Sequence, residues 1–214
     1  MSKAAFIRQN TSVMAPPLVP EIKLHLAHEA VPLWQKTEEE LGEMGLAPPF
    51  WAFAWAGGQA LARYVLDHSD RVENLRVLDL ATGSGLVAIA AAQAGSASIA
   101  ATDIDELATT AAGMNASLNQ VRLEIKLADI LDQHPPSADV ILVGDLFYEK
   151  TLAMRCLAWL RQAQEQGARI FIGDPGRSYL PKGELEKLAE YNVPVTRDLE
   201  DAEIKKTAVW QLRD

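Results

Sequence analysis

The chain is 214 residues long, 49% hydrophobic and 23% charged, a balance that suits one domain of ordinary size and excludes disordered and collagen-like sequences. Its 20 Lys and Arg against 29 Asp and Glu leave a net charge of −9, which argues against general nucleic-acid or anionic-membrane binding and permits a basic partner. A single cysteine, Cys156, excludes an intramolecular disulfide framework and a cysteine-based zinc site, and His25, His28, His68 and His134 form no metal-spaced set, so no metal is expected.

No secretory signal is expected, because no apolar run of the needed length follows Lys3 or Arg8. Residues 1–20 read as a ragged leader into the fold. Ile22, Leu24 and Leu26 alternate as a strand would, although Pro20 could equally open a helix. Thr37 to Glu40 has capping-box spacing and predicts a short helix ending near Gly42–Gly45. The segment Pro48–Gly58 is dense in aromatics and turn formers, with Trp51, Phe53 and Trp55 in alternation. Leu61, Tyr64 and Val65 follow at helical spacing and predict a helix to about Asp67.

From residue 75 the pattern becomes regular. Leu75–Leu80, Ser98–Thr102, Val121–Leu127, Ala138–Val143 and Ala168–Ile172 read as buried strands. Leu86–Ala94, Glu106–Asn119 and Lys150–Gln166 read as the helices between them, with Gly95 and Gly167 as stops. Such alternation means βαβ units: a parallel sheet with helices on both faces. A helix near Glu184–Tyr191 then leads to strands Val193–Leu199 and Glu203–Leu212, which are joined too closely to be parallel neighbours. The expected organisation is one domain over 1–214, a preamble of 1–74 before a core of 75–214. Uncharged Leu80–Thr102 is long enough to span a bilayer, but Thr82, Gly83, Ser84, Gly85, Gln93, Gly95 and Ser96 interrupt it, so no membrane helix is expected.

Leu78 to Leu86 joins the first regular strand to its helix through Asp79-Leu80-Ala81-Thr82-Gly83-Ser84-Gly85. Glycines there let a ligand approach the backbone, and the helix N-terminus offers free N–H groups. Gly83-x-Gly85-x-x-Ala88 satisfies the dinucleotide fingerprint, and Asp103, 20 residues after Gly83, stands where a ribose-binding acid is expected. Asp79 separates the candidate ligands: beside a pyrophosphate a carboxylate is repulsive by about 1 kcal/mol or more. An ammonium or a sulfonium would welcome it, and S-adenosylmethionine carries both. Asp79 could instead cap the following turn. Asp129 and Ile130 follow the third strand, where an adenine amine could meet a carboxylate and an apolar wall, although Asp129 reads equally as an ordinary loop acid. Asn115 and Asn119 read as exposed polar residues of their helix.

Asp79-x-Ala81-x-Gly83-x-Gly85 resembles the first motif of class I methyltransferases, Asp103 their ribose acid, and the final hairpin their reversed seventh strand. The first glycine of that motif is Ala81 here. Pro49-Phe50-Trp51-Ala52, Gly57-Gly58-Gln59-Ala60-Leu61, Asp103-Ile104-Asp105, Gly144-Asp145-Leu146-Phe147-Tyr148 and Gly173-Asp174-Pro175-Gly176-Arg177 together resemble a closer group. It is the electron transfer flavoprotein beta subunit lysine methyltransferases, among the seven-strand protein methyltransferases. The resemblance, over roughly 19–212, implies a Rossmann-like, mostly parallel seven-stranded sheet with an antiparallel C-terminal hairpin. It implies transfer from S-adenosylmethionine, leaving S-adenosylhomocysteine, to lysines of that flavoprotein subunit, with Ile104 and Gly144 among the cofactor contacts. It also implies a mitochondrial enzyme in animals and a cytoplasmic one in bacteria, and the short leader favours the bacterial case.

Methyl transfer to an amine needs three aligned atoms and a neutral nucleophile, whereas free lysine, with a pKa of about 10.4, is mostly protonated at neutral pH. Asp145, at the carboxyl end of the fourth strand, can hold the incoming ammonium and orient its lone pair after deprotonation. Tyr148 can offer the same nitrogen an aromatic face or a hydroxyl. Trp55 is placed to cover the cofactor. Asp174-Pro175-Gly176 fits a type II turn, from which Arg177 could orient an acid near the pocket. Cys156 shares an apolar helix side with Leu152, Leu157 and Leu160 and is expected to be buried and inert. A dinucleotide-dependent oxidoreductase, a small-molecule methyltransferase and a cofactor-holding module without turnover stand as alternatives.

Overall fold

The protein is described from a computed structural model, which covers residues 2–27, 49–195 and 203–213. Strands β3 (Arg76–Leu80), β4 (Ser98–Asp103), β5 (Glu124–Leu127), β6 (Val140–Gly144), β7 (Arg169–Asp174), β8 (Leu185–Pro194) and β9 (Ile204–Leu212) form one sheet in the order β5-β4-β3-β6-β7-β9-β8. The first five are parallel; β9 runs antiparallel to both β7 and β8. The segment Leu80–Thr102 is therefore divided between the end of β3, the glycine loop, helix α3 (Leu86–Gln93) and β4.

The middle strands are buried on both faces, and their period-two alternation deals residues to two cores. Val140, Leu142 and Phe171 join the core beneath α2 (Ala56–Asp67) and α3. Ile141, Val143, Ile170 and Ile172 join the core beneath α5 (Lys150–Glu165), which contributes Cys156, Trp159 and Leu160. Burial pushes the Cys156 thiol up to about 12, as an inert core cysteine requires. A third cluster sets Ile7, Trp51 and Phe53 against Leu107, Ala108 and Ala111 of α4 (Glu106–Leu118).

Three expectations are corrected. Residues 1–20 are no ragged leader: α1 (Lys3–Asn10) is capped by Ser2 and buries Ile7, and β1 (Ser12–Met14) pairs with β2 (Leu24–Leu26). The alternation of Leu24 and Leu26 marked β2 as a strand, but three-residue β1 is too short to show alternation, so the sequence did not announce its partner. The helix expected at Glu184–Tyr191 is strand β8. A bulge between Lys187 and Ala189 inserts a residue, so Leu185 faces the α5 core while Ala189, Tyr191 and Val193 face the other. The resulting spacing of Leu185, Leu188 and Ala189 imitates a helix. Asn115 and Asn119 are not exposed polar residues, for reasons given with the site. The helix expected near Thr37–Gly45 lies outside the described residues, as does the end of the strand expected at Val193–Leu199.

Candidate active site

A cavity of about 490 Å³ opens at the carboxyl ends of β3, β4 and β6, where the strand order reverses about β3. It is lined by Leu80, Ala81 and Gly83 at and beyond the end of β3, Thr102 to Asp105 at and beyond the end of β4, Ala128 to Leu131 after β5, and Gly144 to Leu146 with Tyr148 at and beyond the end of β6. Phe50, Trp51, Trp55 and Arg177 also line it. Of the residues expected at the site, Trp55, Ala81, Gly83, Asp103, Ile104, Asp129, Ile130, Gly144, Asp145 and Tyr148 meet here; Asp79 and Gly85 do not.

The glycine loop takes left-handed backbone at Ala81 (φ +55°), Gly83 (+52°) and Gly85 (+82°). Only Ala81 carries a β-carbon there, at a cost of roughly 1–2 kcal/mol. Asp103 holds the loop from β4: its Oδ2 accepts the Gly83 N–H at 2.8 Å and its Oδ1 the Asp105 N–H at 3.0 Å. Burial raises the Asp103 pKa while these backbone donors oppose the rise.

Asp79 points into the loop rather than at a ligand. Its Oδ2 accepts from the Thr82 hydroxyl at 2.5 Å and the Ala88 N–H at 3.1 Å, and it is 2% exposed. Burial pushes its pKa up to about 7. The expectation that it faces a ligand's cationic groups is therefore corrected; the turn-capping alternative describes its contacts. The reason lies in strand alternation, which turns Asp79 under α3 while Leu78 and Leu80 go to the opposite core. Gly85 lies behind the lining as well: a β-carbon there would stand 3.1 Å from the Ala112 Cβ, so it sets the approach of α3 to α4.

Asn115 is fully buried, accepts the His25 N–H at 2.8 Å and donates to the Ser84 carbonyl at 2.8 Å. Asn119 accepts the Lys23 N–H at 2.9 Å and donates to the Lys23 carbonyl at 2.6 Å. One face of α4 thus ties β2 to the glycine loop through side-chain amides. Four-residue spacing of two asparagines was the available signal, but it cannot show which face of a helix is covered.

Opposite Asp103 stands Asp145, itself in left-handed backbone (φ +56°) and 9% exposed. Its Oδ2 accepts the Gly58 N–H at 2.8 Å, from the first turn of α2. Its Oδ1 accepts Arg177 Nε at 3.1 Å and Nη2 at 2.6 Å. Burial pushes the carboxyl up to about 6; Arg177 lowers it and neighbouring Asp174 raises it. The motif residues Gly57-Gly58, Gly144-Asp145 and Gly173-Asp174 meet at this crossing of α2 over β6 and β7. A β-carbon on Gly173 would lie 2.1 Å from the Gly57 carbonyl oxygen, and one on Gly144 would lie 3.2 Å from the Gly58 Cα.

Aromatic rings form the rim. Phe50 lies 6.0 Å from Trp55 and 5.7 Å from Tyr148, centroid to centroid, and the Trp55 indole N–H donates to the Phe50 carbonyl at 2.8 Å. Tyr148 is 48% exposed. At the far end, Asp129 pairs with Arg155 at 3.0 Å and accepts the Leu131 N–H at 3.1 Å, beside buried Ile130. Phe50 and Arg155 were not expected at the site, and no motif in the sequence marks Arg155.

The profile of the ribosomal protein L11 methyltransferase (PrmA) family matches residues 59–146. An electron transfer flavoprotein beta subunit lysine methyltransferase of Rattus norvegicus is 36% identical over 213 residues, covering 96% of this chain and 82% of its own length. The chain belongs to that family. Membership decides between the two readings that the glycine loop permits, for a methyltransferase and against a dinucleotide oxidoreductase. Solved structures agree with the family's fold. A ribosomal protein L11 methylase from Lactobacillus delbrueckii subsp. bulgaricus superposes with a TM-score of 0.51 at 22% identity, covering 72% of this chain and 77% of its own. A magnesium protoporphyrin IX methyltransferase from Synechocystis PCC 6803, solved with bound SAM, gives 0.53 at 15% identity, covering 73% and 78%.

Proposed function

We propose that this protein transfers methyl groups from S-adenosylmethionine to lysine side chains of the electron transfer flavoprotein beta subunit. The observation that carries the reading is the shared cavity: Asp103 with the glycine loop on one wall and Asp145 with Tyr148 on the other, in a chain of this family.

The residues fit the cofactor. Asp103 presents a carboxylate for ribose hydroxyls, Gly83 lets the backbone approach, and Ala128, Ile130 and Leu131 offer an adenine an apolar wall beside Asp129. When bound, the cofactor supplies a methyl group on a positively charged sulfur. Asp145 then holds the lysine nitrogen in line with that carbon, and the aromatic rim of Phe50, Trp55 and Tyr148 surrounds the cation and sheds water. A carboxyl with a pKa of about 6 is too weak a base to take a proton from an amine of pKa about 10.4, so Asp145 positions and attracts. The lysine proton leaves to solvent at the half-exposed rim.

The test is incubation of the purified protein with labelled S-adenosylmethionine and a whole-cell extract, followed by peptide mass spectrometry. Label on lysines of the flavoprotein subunit, absent with Asp145→Asn, supports the reading; label confined to small molecules overturns it.

A further inference from the structure

Arg177 belongs to no part of the mechanism so far, yet the surrounding chain is built to aim it. Asp174 Oδ1 accepts the N–H of Gly176 at 2.6 Å and that of Arg177 at 2.7 Å, closing a turn in which Gly176 adopts φ +91°. From that turn the guanidinium reaches back over the cavity wall. It gives two N–H groups to one oxygen of Asp145, and its Cζ lies 5.7 Å from the Trp55 ring centroid.

We infer that Arg177 is a positioning residue for methyl transfer, keeping the Asp145 carboxylate ionised and in one orientation for the acceptor. The inference rests on the reading of the cavity as a lysine methyl-transfer site. A carboxylate offers about four acceptor positions. Gly58 and Arg177 occupy three at Asp145, which leaves one for a substrate N–H and fixes its direction. Burial drives a carboxyl toward its neutral form, which cannot attract an ammonium. Among the described residues, the groups facing Asp145 are the Gly58 N–H from α2, Asp174 from the end of β7 and Arg177 from the turn beyond it. Among these described groups Arg177 carries the one positive charge, so the ionised state of Asp145 depends on it. Burial and Asp174 both push the other way.

The test compares wild type, Arg177→Met and Arg177→Lys by two readouts. The first is a ¹³C-detected titration of the Asp145 carboxyl, assigned with Asp145→Asn. Loss of an adjacent guanidinium moves such a group up by about one to three units, so Arg177→Met should show that rise and Arg177→Lys most of the native value. The second is kcat/KM on purified flavoprotein beta subunit from pH 6 to 10, taken as the ratio of variant to wild type so that ionisation of the substrate lysine cancels. For Arg177→Met the ratio near pH 7 should be about 0.5 for a rise of one unit and about 0.01 for a rise of three, and should climb as pH rises; for Arg177→Lys it should stay flat. An unchanged Asp145 titration, a flat low ratio for Arg177→Met, or a loss of S-adenosylhomocysteine affinity beyond tenfold would overturn the assignment. A shifted titration in an enzyme that methylates no flavoprotein subunit would support the Arg177–Asp145 coupling and bring down the proposed function instead.

Discussion

Gly57 and Gly173 meet backbone to backbone: a β-carbon on Gly57 would lie 2.2 Å from the Gly173 carbonyl oxygen and 2.5 Å from Asp145 Oδ2. The carbonyl is part of the sheet and the carboxylate is held by Gly58 and Arg177, so neither can yield cheaply. Gly57→Ala should cost about 1–3 kcal/mol of stability through overpacking and lower turnover by displacing Asp145. The next residue is the control, because a β-carbon on Gly58 meets nothing within 4 Å. Gly58→Ala should be neutral or stabilising by roughly 0.5–1 kcal/mol, as for glycine replaced in a helix. Thermal melts of the two variants check this; indistinguishable melting temperatures would refute the close crossing.

Asn115 carries the tension between β2 and the glycine loop. Asn115→Ala leaves the His25 N–H and the Ser84 carbonyl without their partner, each worth about 1–3 kcal/mol when buried. Because Ser84 sits between Gly83 and Gly85, the loss should weaken S-adenosylhomocysteine binding more than it lowers turnover at saturating cofactor. Asn119→Ala, whose Lys23 partners are exposed, should be milder in both respects. Calorimetry beside saturation kinetics gives the comparison, and an unchanged affinity in Asn115→Ala would detach α4 from the loop's function.

Asp79 makes a prediction about pH. Its folded pKa of about 7 lies above the unfolded value of about 3.9, so between them the native state keeps a proton that the unfolded chain has lost. Its contribution to stability is full below about pH 4 and disappears as pH rises through about 7. Asp79→Asn keeps an acceptor for Thr82 and Ala88 but never ionises. The stability difference between wild type and Asp79→Asn should therefore drift across pH 4 to 7 in the variant's favour and flatten above 8, by urea unfolding. Cofactor affinity should stay within a few-fold, because the carboxylate does not line the cavity; a hundredfold loss would return Asp79 to the ligand.

Whether a feature was legible in the sequence follows from how local its signal is. The βαβ alternation and the reversed last strand could be read because each rests on a run of residues and a connection length. The cavity's two poles, Asp103 and Asp145, could be read because each ends a strand beside a recognisable motif. Two other features depend on what comes to cover a residue. Asn115 reads as an exposed amide until β2 lies against α4, and Asp79 reads as a ligand group until α3 folds over it. The β8 bulge shows a third limit, since one inserted residue converts period two into an apparent helical spacing. The meeting of Gly57-Gly58 with Gly144 and Gly173 had its letters in view, but only the crossing of α2 over β6 and β7 explains why Gly57, Gly144 and Gly173 are glycine.

Asp103 and Asp145 should separate cleanly in binding and turnover. Asp103 spends both oxygens on the backbone, at Gly83 and Asp105, and lines the cavity beside the glycine loop, where the proposed cofactor would set its ribose. Whatever it does there is the same before and during transfer, so Asp103→Ala should weaken S-adenosylhomocysteine binding. One hydrogen bond to a charged group is worth about 1.5–3 kcal/mol, or roughly tenfold to a hundredfold in affinity. Much of the turnover should return at saturating cofactor, because uniform binding shows in KM rather than kcat. On the proposed reading, Asp145 serves the acceptor amine instead. Asp145→Asn preserves an acceptor for the Gly58 N–H and abolishes the charge, so cofactor affinity should stay within a few-fold. Its turnover should fall by about a hundredfold, the scale of a misplaced nucleophile, and excess cofactor should not restore it. Calorimetry with S-adenosylhomocysteine and saturation kinetics on both variants read the two effects independently. If Asp145→Asn lost the cofactor and kept its turnover at saturation, the two acids would have to exchange roles.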